Sequence, residues 1–200
     1  MALFRRSRGR NNVNIGAGLL DGIDLQTAYN FELGNLGSLK LMLNGAYMLK
    51  NETTQFVGGG TYDCTGLFGP TCQTVNPEWR HNLRAAWSLP HAVTVAATWR
   101  YFGKVKLDNN DPDPDLFGST PDLGGNPAIY RASIGSVSYL DLSAGWEMNE
   151  HVTVRLGINN ILDKDPAPAP SEIISGGAAN YYEAYDGLGR QAFLGITAKL

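Results

Sequence analysis

Val93-Thr94-Val95-Ala96-Ala97-Thr98-Trp99-Arg100-Tyr101-Phe102-Gly103 alternates along its length. Val93, Val95, Ala97, Trp99 and Tyr101 fall on one side, opposed by Thr94, Thr98 and Arg100. Successive side chains of a β-strand point to opposite faces, so a period of two predicts a strand with one apolar face and one polar face. The segment before it, 79–89, repeats the pattern with Trp79, Leu83, Ala85, Trp87 and Leu89 against Arg80, Asn82, Arg84 and Ser88. Working outward, 39–49 sets Leu39, Leu41, Leu43, Tyr47 and Leu49 against Lys40, Met42, Asn44 and Ala46. Residues 23–33 set Ile23, Leu25, Thr27, Tyr29, Phe31 and Leu33 against Asp24, Gln26, Asn30 and Glu32. Towards the C-terminus come 137–148 (Leu140, Leu142, Ala144, Trp146, Met148 against Tyr139, Asp141, Ser143, Glu147), 152–162 (Val152, Val154, Leu156, Ile158, Leu162 against Thr153, Arg155, Asn159) and 190–200 (Ala192, Leu194, Ile196, Ala198, Leu200). Soluble strands cluster near about 5–6 residues, whereas a tilted transmembrane strand needs about 9–11. Seven segments of this length predict an all-β fold: an antiparallel up-and-down meander of about seven long strands, part of a transmembrane β-barrel.

The connections sharpen the expectation. They run short, long, short, long, short, long: 34–38, 50–78, 90–92, 104–136, 149–151 and 163–189. Outer-membrane barrels have short periplasmic turns and longer extracellular loops, and a periplasmic C-terminus puts every long connection outside. Trp79 and Trp87 sit near opposite ends of one segment. Eight residues at about 3.3 Å each, tilted by about 40°, span roughly 20 Å of height, close to the apolar band between aromatic girdles. The arginines of the polar faces, Arg80, Arg84, Arg100 and Arg155, suit a wet lumen better than a second sheet. Seven is not a closed bacterial barrel, and unpaired edges cannot stand in lipid, so the chain reads as a fragment of a larger one.

Composition is compatible with this. The 200 residues carry 16 basic and 19 acidic side chains, a net charge of −3, which gives no field favouring nucleic acid. Mean hydropathy is −0.20, as expected when only alternate residues of a strand meet lipid. No run approaches the roughly 18 apolar residues of a membrane helix. Met1 to Arg10 is basic, but Asn11-Asn12-Val13-Asn14 follows where a secretion signal needs an apolar stretch. Residues 1–12 are therefore expected to be a non-native or truncated start. Cys64 and Cys72 flank a short loop containing Gly66, Gly69 and Pro70, with no further Cys or His at zinc spacing. A disulfide formed in an oxidising compartment is expected; the alternative is a pair of free thiols.

At this point the residues resemble a known family. Asn159-Asn160-Ile161-Leu162-Asp163-Lys164 is similar to the Asn-Leu-Phe-Asp-Lys segment near the end of TonB-dependent receptors, with Ile161-Leu162 in place of the usual pair. Tyr185-Asp186-Gly187-Leu188-Gly189-Arg190 before the last strand resembles that family's closing Gly-Arg strand, although the chain ends in Leu200 rather than Phe. Asn76-Pro77-Glu78-Trp79-Arg80-His81 also looks like a segment of these receptors. The resemblance implies that residues 13–200 are the C-terminal part of a receptor β-barrel in the bacterial outer membrane, without the plug domain. It implies as partners outer-membrane lipid, the remainder of barrel and plug, the TonB system acting through that plug, and a small-molecule ligand. The function implied is import of a scarce nutrient: an iron chelate, a cobalamin-like compound or an oligosaccharide. Two alternatives are a passive porin-type barrel and a soluble β-sandwich binding carbohydrate.

No catalytic chemistry is expected. His81, His91 and His151 are scattered, and no Ser/His/Asp or Cys/His set can be assembled. Asp108 to Asp115 is acidic, but prolines interrupt it and no Glu closes a calcium-loop frame, so it reads as a solvated loop. Gly16 to Gly22 and Gly58-Gly59-Gly60 lack the context of nucleotide-binding loops. Neither an enzyme nor a cofactor is expected, and the ligand-contacting residues stay unassigned.

Overall fold

The structure, a computed structural model, describes residues 16–54, 58–116, 133–168 and 182–199. The segment 1–12 and Leu200 lie outside these residues. The elements in chain order are β1 (Ala17–Glu32), β2 (Ser38–Thr54), β3 (Thr61–Asp63), β4 (Leu67–Phe68), β5 (Trp79–Leu89), β6 (Val93–Phe102), β7 (Val105–Leu107), β8 (Ser133–Ile134), β9 (Val137–Glu147), β10 (Val152–Asn159) and β11 (Gln191–Ala198). The long strands form one antiparallel sheet in the order β1-β2-β5-β6-β9-β10-β11, with β3 beside the end of β2. This is the meander expected from the sequence.

The register aligns every apolar face. One row across the sheet reads Tyr29, Leu41, Ala85, Ala97, Leu142, Ile158, Ala192. The row beside it, on the opposite face, reads Ala28, Met42, Arg84, Thr98, Asp141. A one-residue slip in any strand would turn its apolar residues to the wrong side, and none occurs through the central rows. Among the described residues nothing packs on the apolar face. Tyr29 is 63% exposed, Trp146 46% and Leu194 70%. A sandwich would bury this face beneath a second sheet; a sheet left with it bare needs an apolar solvent.

The sequence misplaces some ends. β1 and β2 run several residues past the expected 23–33 and 39–49 at the long-loop end, with a register shift at Asp21/Gly22. Backbone pairing continues there although the apolar/polar alternation is lost: Asp21 faces Lys50, and Leu19 faces Glu52. β10 stops at Asn159 because Asn160 turns left-handed, with φ 50.

Most of the buried core lies outside the long strands of the main sheet, which contribute Val137 and Tyr139 of β9 and Ala96 of β6. That part lies in the long loops, which carry a second, small sheet of β4 parallel to β7 and β7 antiparallel to β8. Phe68, Val105, Leu107, Ile134, Tyr182 and Tyr185 pack there against Val137 and Tyr139, with Phe102 partly buried alongside. Phe102, Val137 and Tyr139 belong to the polar face of β6 and β9. The loops thus fold inward, over the polar side of the wall, and form a cap at one end.

Candidate functional site

The polar face beneath the cap is the surface able to meet a ligand. Gln26, Asn44, Asn82 and Arg100 stand side by side on β1, β2, β5 and β6. The next row towards the cap holds Asp24, Ala46, Arg80 and Phe102. Asp24, Gln26, Asn44, Arg80 and Asn82 line a recess of about 410 Å³. Arg84 donates to the Thr98 hydroxyl at 3.1 Å, and among the described residues Arg80, Arg84 and Arg155 have no ion-pair partner. Asp24 shares the recess of Arg80, and Glu147 that of Arg84 and Arg155, but among the described residues neither carboxylate is in ion-pair contact, so these cations stay available to an anion in the concavity.

Arg100 is the exception, held by two carboxylates. Its Nε and Nη2 donate to Asp141 at 2.7 and 3.0 Å, and Nη1 and Nη2 donate to Asp186 at 2.9 and 2.5 Å. The guanidinium lies over the Tyr139 ring, 4.9 Å from its centroid. The Tyr139 hydroxyl in turn accepts the Asp186 backbone N–H at 3.2 Å. One side chain therefore ties β6 to β9 and to the return of the third long loop.

The segments that carried the family resemblance meet in space. The side-chain amide of Asn160 donates to the Lys164 carbonyl and accepts the Lys164 N–H, both at 2.9 Å. Asp163 accepts the Arg190 N–H at 2.8 Å. Together they close the third loop where β10 leaves the wall and β11 enters it.

Within the cap, Cys64 and Cys72 are joined by a disulfide with Cα atoms 5.6 Å apart. Asp108 is fully buried, and its Oδ2 accepts the N–H groups of Thr71 and Cys72 at 2.9 and 2.8 Å. Gly69, with φ +145, lies so close that any Cβ would strike the Asp108 carboxylate. Burial pushes this carboxyl above the usual range in spite of those backbone donors. Burial likewise raises Tyr185, to about 12, and raises Tyr182, with the Asp108 charge adding to the latter. The rest of the acidic loop stabilises its own turns: Asp111 accepts the Asp113 N–H and Asp113 accepts the Asp115 N–H. Among the described residues no group of three His, Cys, Asp or Glu is placed to hold a metal ion.

His81 is not isolated, contrary to what its spacing in the sequence suggests. It shares the apolar face with its row partners Gly45 and Tyr101, stacks on Tyr101 at 5.2 Å and accepts the Trp79 indole N–H at 2.9 Å. It is part of an aromatic belt with Trp79 and Trp99, legible from its parity with Trp79 but masked by its polar residue type. His91 and His151 lie in and beside the short turns.

Comparison with known proteins agrees with this architecture. The family described as TonB dependent receptor-like, beta-barrel, matches residues 4–161. Among solved structures, the ferric enterobactin receptor PfeA of Pseudomonas aeruginosa (a G324V mutant) superposes with a TM-score of 0.56 at 20% identity, covering 90% of this chain and 22% of that one. The siderophore receptor PirA of Acinetobacter baumannii gives 0.55 at 17% identity, with 90% and 22% covered. The chain thus spans about a fifth of the length of these receptors. No curated protein sequence matches it significantly. By this family match, the chain belongs to the TonB-dependent receptor-like β-barrels, a family of the bacterial outer membrane.

Proposed function

We propose that residues 13–200 form the C-terminal part of the barrel of a receptor that imports an anionic iron chelate, with a plug inside the barrel and TonB supplying energy from the periplasm. The observation that carries the reading is the polar wall on which, among the described residues, Arg80, Arg84 and Arg155 form no ion pair. Ferric chelates built on catechol or carboxylate oxygens are anionic, and a wall of this charge draws them inward. The names of the similar solved structures, a ferric enterobactin receptor and a siderophore receptor, support the iron-chelate choice over a cobalamin-like compound or an oligosaccharide. Three probes test it in cells lacking other iron receptors: a ferric tris-catecholate, cyanocobalamin and a maltodextrin. Uptake of the ferric complex alone, reduced when Arg80→Gln and Arg84→Gln are combined, is the expected result. Uptake of cyanocobalamin or maltodextrin in its place would overturn the substrate, and energy-independent entry of all three would favour a passive pore.

A further inference from the structure

We propose that Arg100 is an anion-exchange site: an entering ligand that presents two adjacent oxyanion oxygens replaces Asp186 on the guanidinium and frees the stretch Asp186–Gly189 from the wall. The proposal rests on the import reading only in directing this face towards the lumen.

The two carboxylates on Arg100 are held unequally. Asp141 projects from β9, opposite Thr98 of β6, and its Oδ1 also accepts the Asn160 N–H at 2.8 Å. Among the described residues the Asp186 carboxylate has Arg100 as its sole side-chain donor, and it sits in a loop. A planar guanidinium offers two bidentate edges. Here the Nε edge faces the strand carboxylate and the Nη1/Nη2 edge faces the loop carboxylate, whose residue is otherwise held to the wall by its backbone N–H on the Tyr139 hydroxyl.

Two carboxylates around one cation leave a net negative charge and repel one another. Replacing the loop carboxylate by a ligand anion keeps the arginine paired, so no buried charge is stranded during the exchange. Space exists for it. Arg100, Asp141, Asn159, Asp186 and Gln191 line a recess of about 400 Å³, and the Arg100 side chain remains 22% exposed.

The stretch that would move is short and bounded. Tyr185 on one side is buried in the cap core, and Arg190 on the other is tied to Asp163. Between them lie Gly187, Leu188 and Gly189, with φ +66 at Gly189 and Leu188 80% exposed. Two glycines let the backbone swing while both anchors hold.

The test uses the receptor carrying this chain in membrane vesicles, with inorganic pyrophosphate as probe and sodium chloride at equal ionic strength as control. Hydrogen–deuterium exchange at residues 186–189 is the readout. Pyrophosphate should speed exchange there about tenfold over chloride. Asp186→Asn should speed it without any anion. Because that variant removes an intramolecular competitor, it should also bind pyrophosphate about tenfold more tightly. Arg100→Gln should abolish the pyrophosphate response. Unchanged or slower exchange in the wild-type protein overturns the proposal, and so does an Asp186→Asn variant that binds pyrophosphate no tighter. Neither readout requires transport, so the site stands or falls separately from the iron-chelate reading.

Discussion

Asp163 and Arg190, 27 positions apart, are joined where the last two long strands meet the third loop. The Arg190 N–H donates to Asp163 Oδ1 at 2.8 Å, and the guanidinium Nη2 lies 3.6 Å from Oδ2. The ion pair itself is more than half exposed on both sides, where such pairs contribute little. The backbone bond and the left-handed Asp163, φ 53, matter more. Arg190→Ala should therefore cost less than about 0.5 kcal/mol, and Asp163→Ala about 1 kcal/mol, since Ala at positive φ is strained. Asn160 is fully buried and uses both ends of its amide on Lys164, so Asn160→Ala should cost about 1–3 kcal/mol. Heat-induced loss of the folded band on a semi-native gel gives the ranking; Arg190→Ala as the most damaging of the three would contradict it.

The strands were legible because the environment writes them. A residue such as Leu142 or Val95 faces lipid, its neighbours Asp141 and Thr94 face water, and the alternation survives over a whole membrane crossing. The cap was not legible, for the opposite reason. β4 and β7 are two and three residues long and pair parallel between Leu67 and Lys106, far too short to show a period. The pairing of Arg100 with Asp186 spans 86 positions, and no local pattern announces it. The arginine could be assigned to the polar face from parity alone; its loop partner could not. The quoted Asn160, Asp163 and Arg190 were visible as a resemblance, but their shared task of closing one loop needed coordinates.

The disulfide holds the backbone that solvates Asp108, since Thr71 and Cys72 supply the N–H groups on Oδ2. Intact mass with alkylation, before and after reduction, should show no reactive thiol until reductant is added. Closing so short a loop contributes about 2–3 kcal/mol in the chain-entropy account, so Cys64→Ser with Cys72→Ser should loosen the cap, seen as faster exchange at Leu67 and Phe68. Two thiols alkylated without reductant would refute the bridge.

The buried tyrosines set an alkaline limit on the cap. Burial raises Tyr185 to about 12 and raises Tyr182 as well, from an ordinary value of 10.0. A phenol whose folded value is raised binds its proton more tightly in the folded state. Its stabilising effect is complete below pH 10 and is lost as pH climbs from there through the raised value. Ultraviolet titration should show a late-ionising phase that coincides with opening of the cap, and Tyr185→Phe should remove part of it. The Tyr182 hydroxyl is buried without a hydrogen-bond partner among the described residues, so Tyr182→Phe should stabilise by about 1 kcal/mol at neutral pH. Early, uniform ionisation of every tyrosine would contradict the packed cap.

Facing is the last expectation and bears on the whole architecture. Val95 lies between Trp87 and Ala144 on the apolar face, in a shallow depression with Leu39, Ala97 and Leu142. Thr94, the next residue, faces a polar recess with Arg84, Ser143 and Arg155. Arg at Leu142, in the mid-strand row of Ala85 and Ala97, should cost about 2–4 kcal/mol, and Arg at Val95, level with Trp87 towards the short-turn end, less, while Arg155→Gln, on the wet side, should cost little. Stability alone does not discriminate, because a dry protein interior would reject Arg as firmly as lipid does. Accessibility does discriminate. In a background of Cys64→Ser and Cys72→Ser, Val95→Cys should resist a water-soluble maleimide, and a spin label there should relax strongly with dissolved oxygen, which concentrates in lipid. Thr94→Cys should show the reverse preference, reacting with maleimide and relaxing with a water-soluble nickel chelate. A Val95 label shielded from both oxygen and nickel would mean that protein, not lipid, covers this face of the sheet.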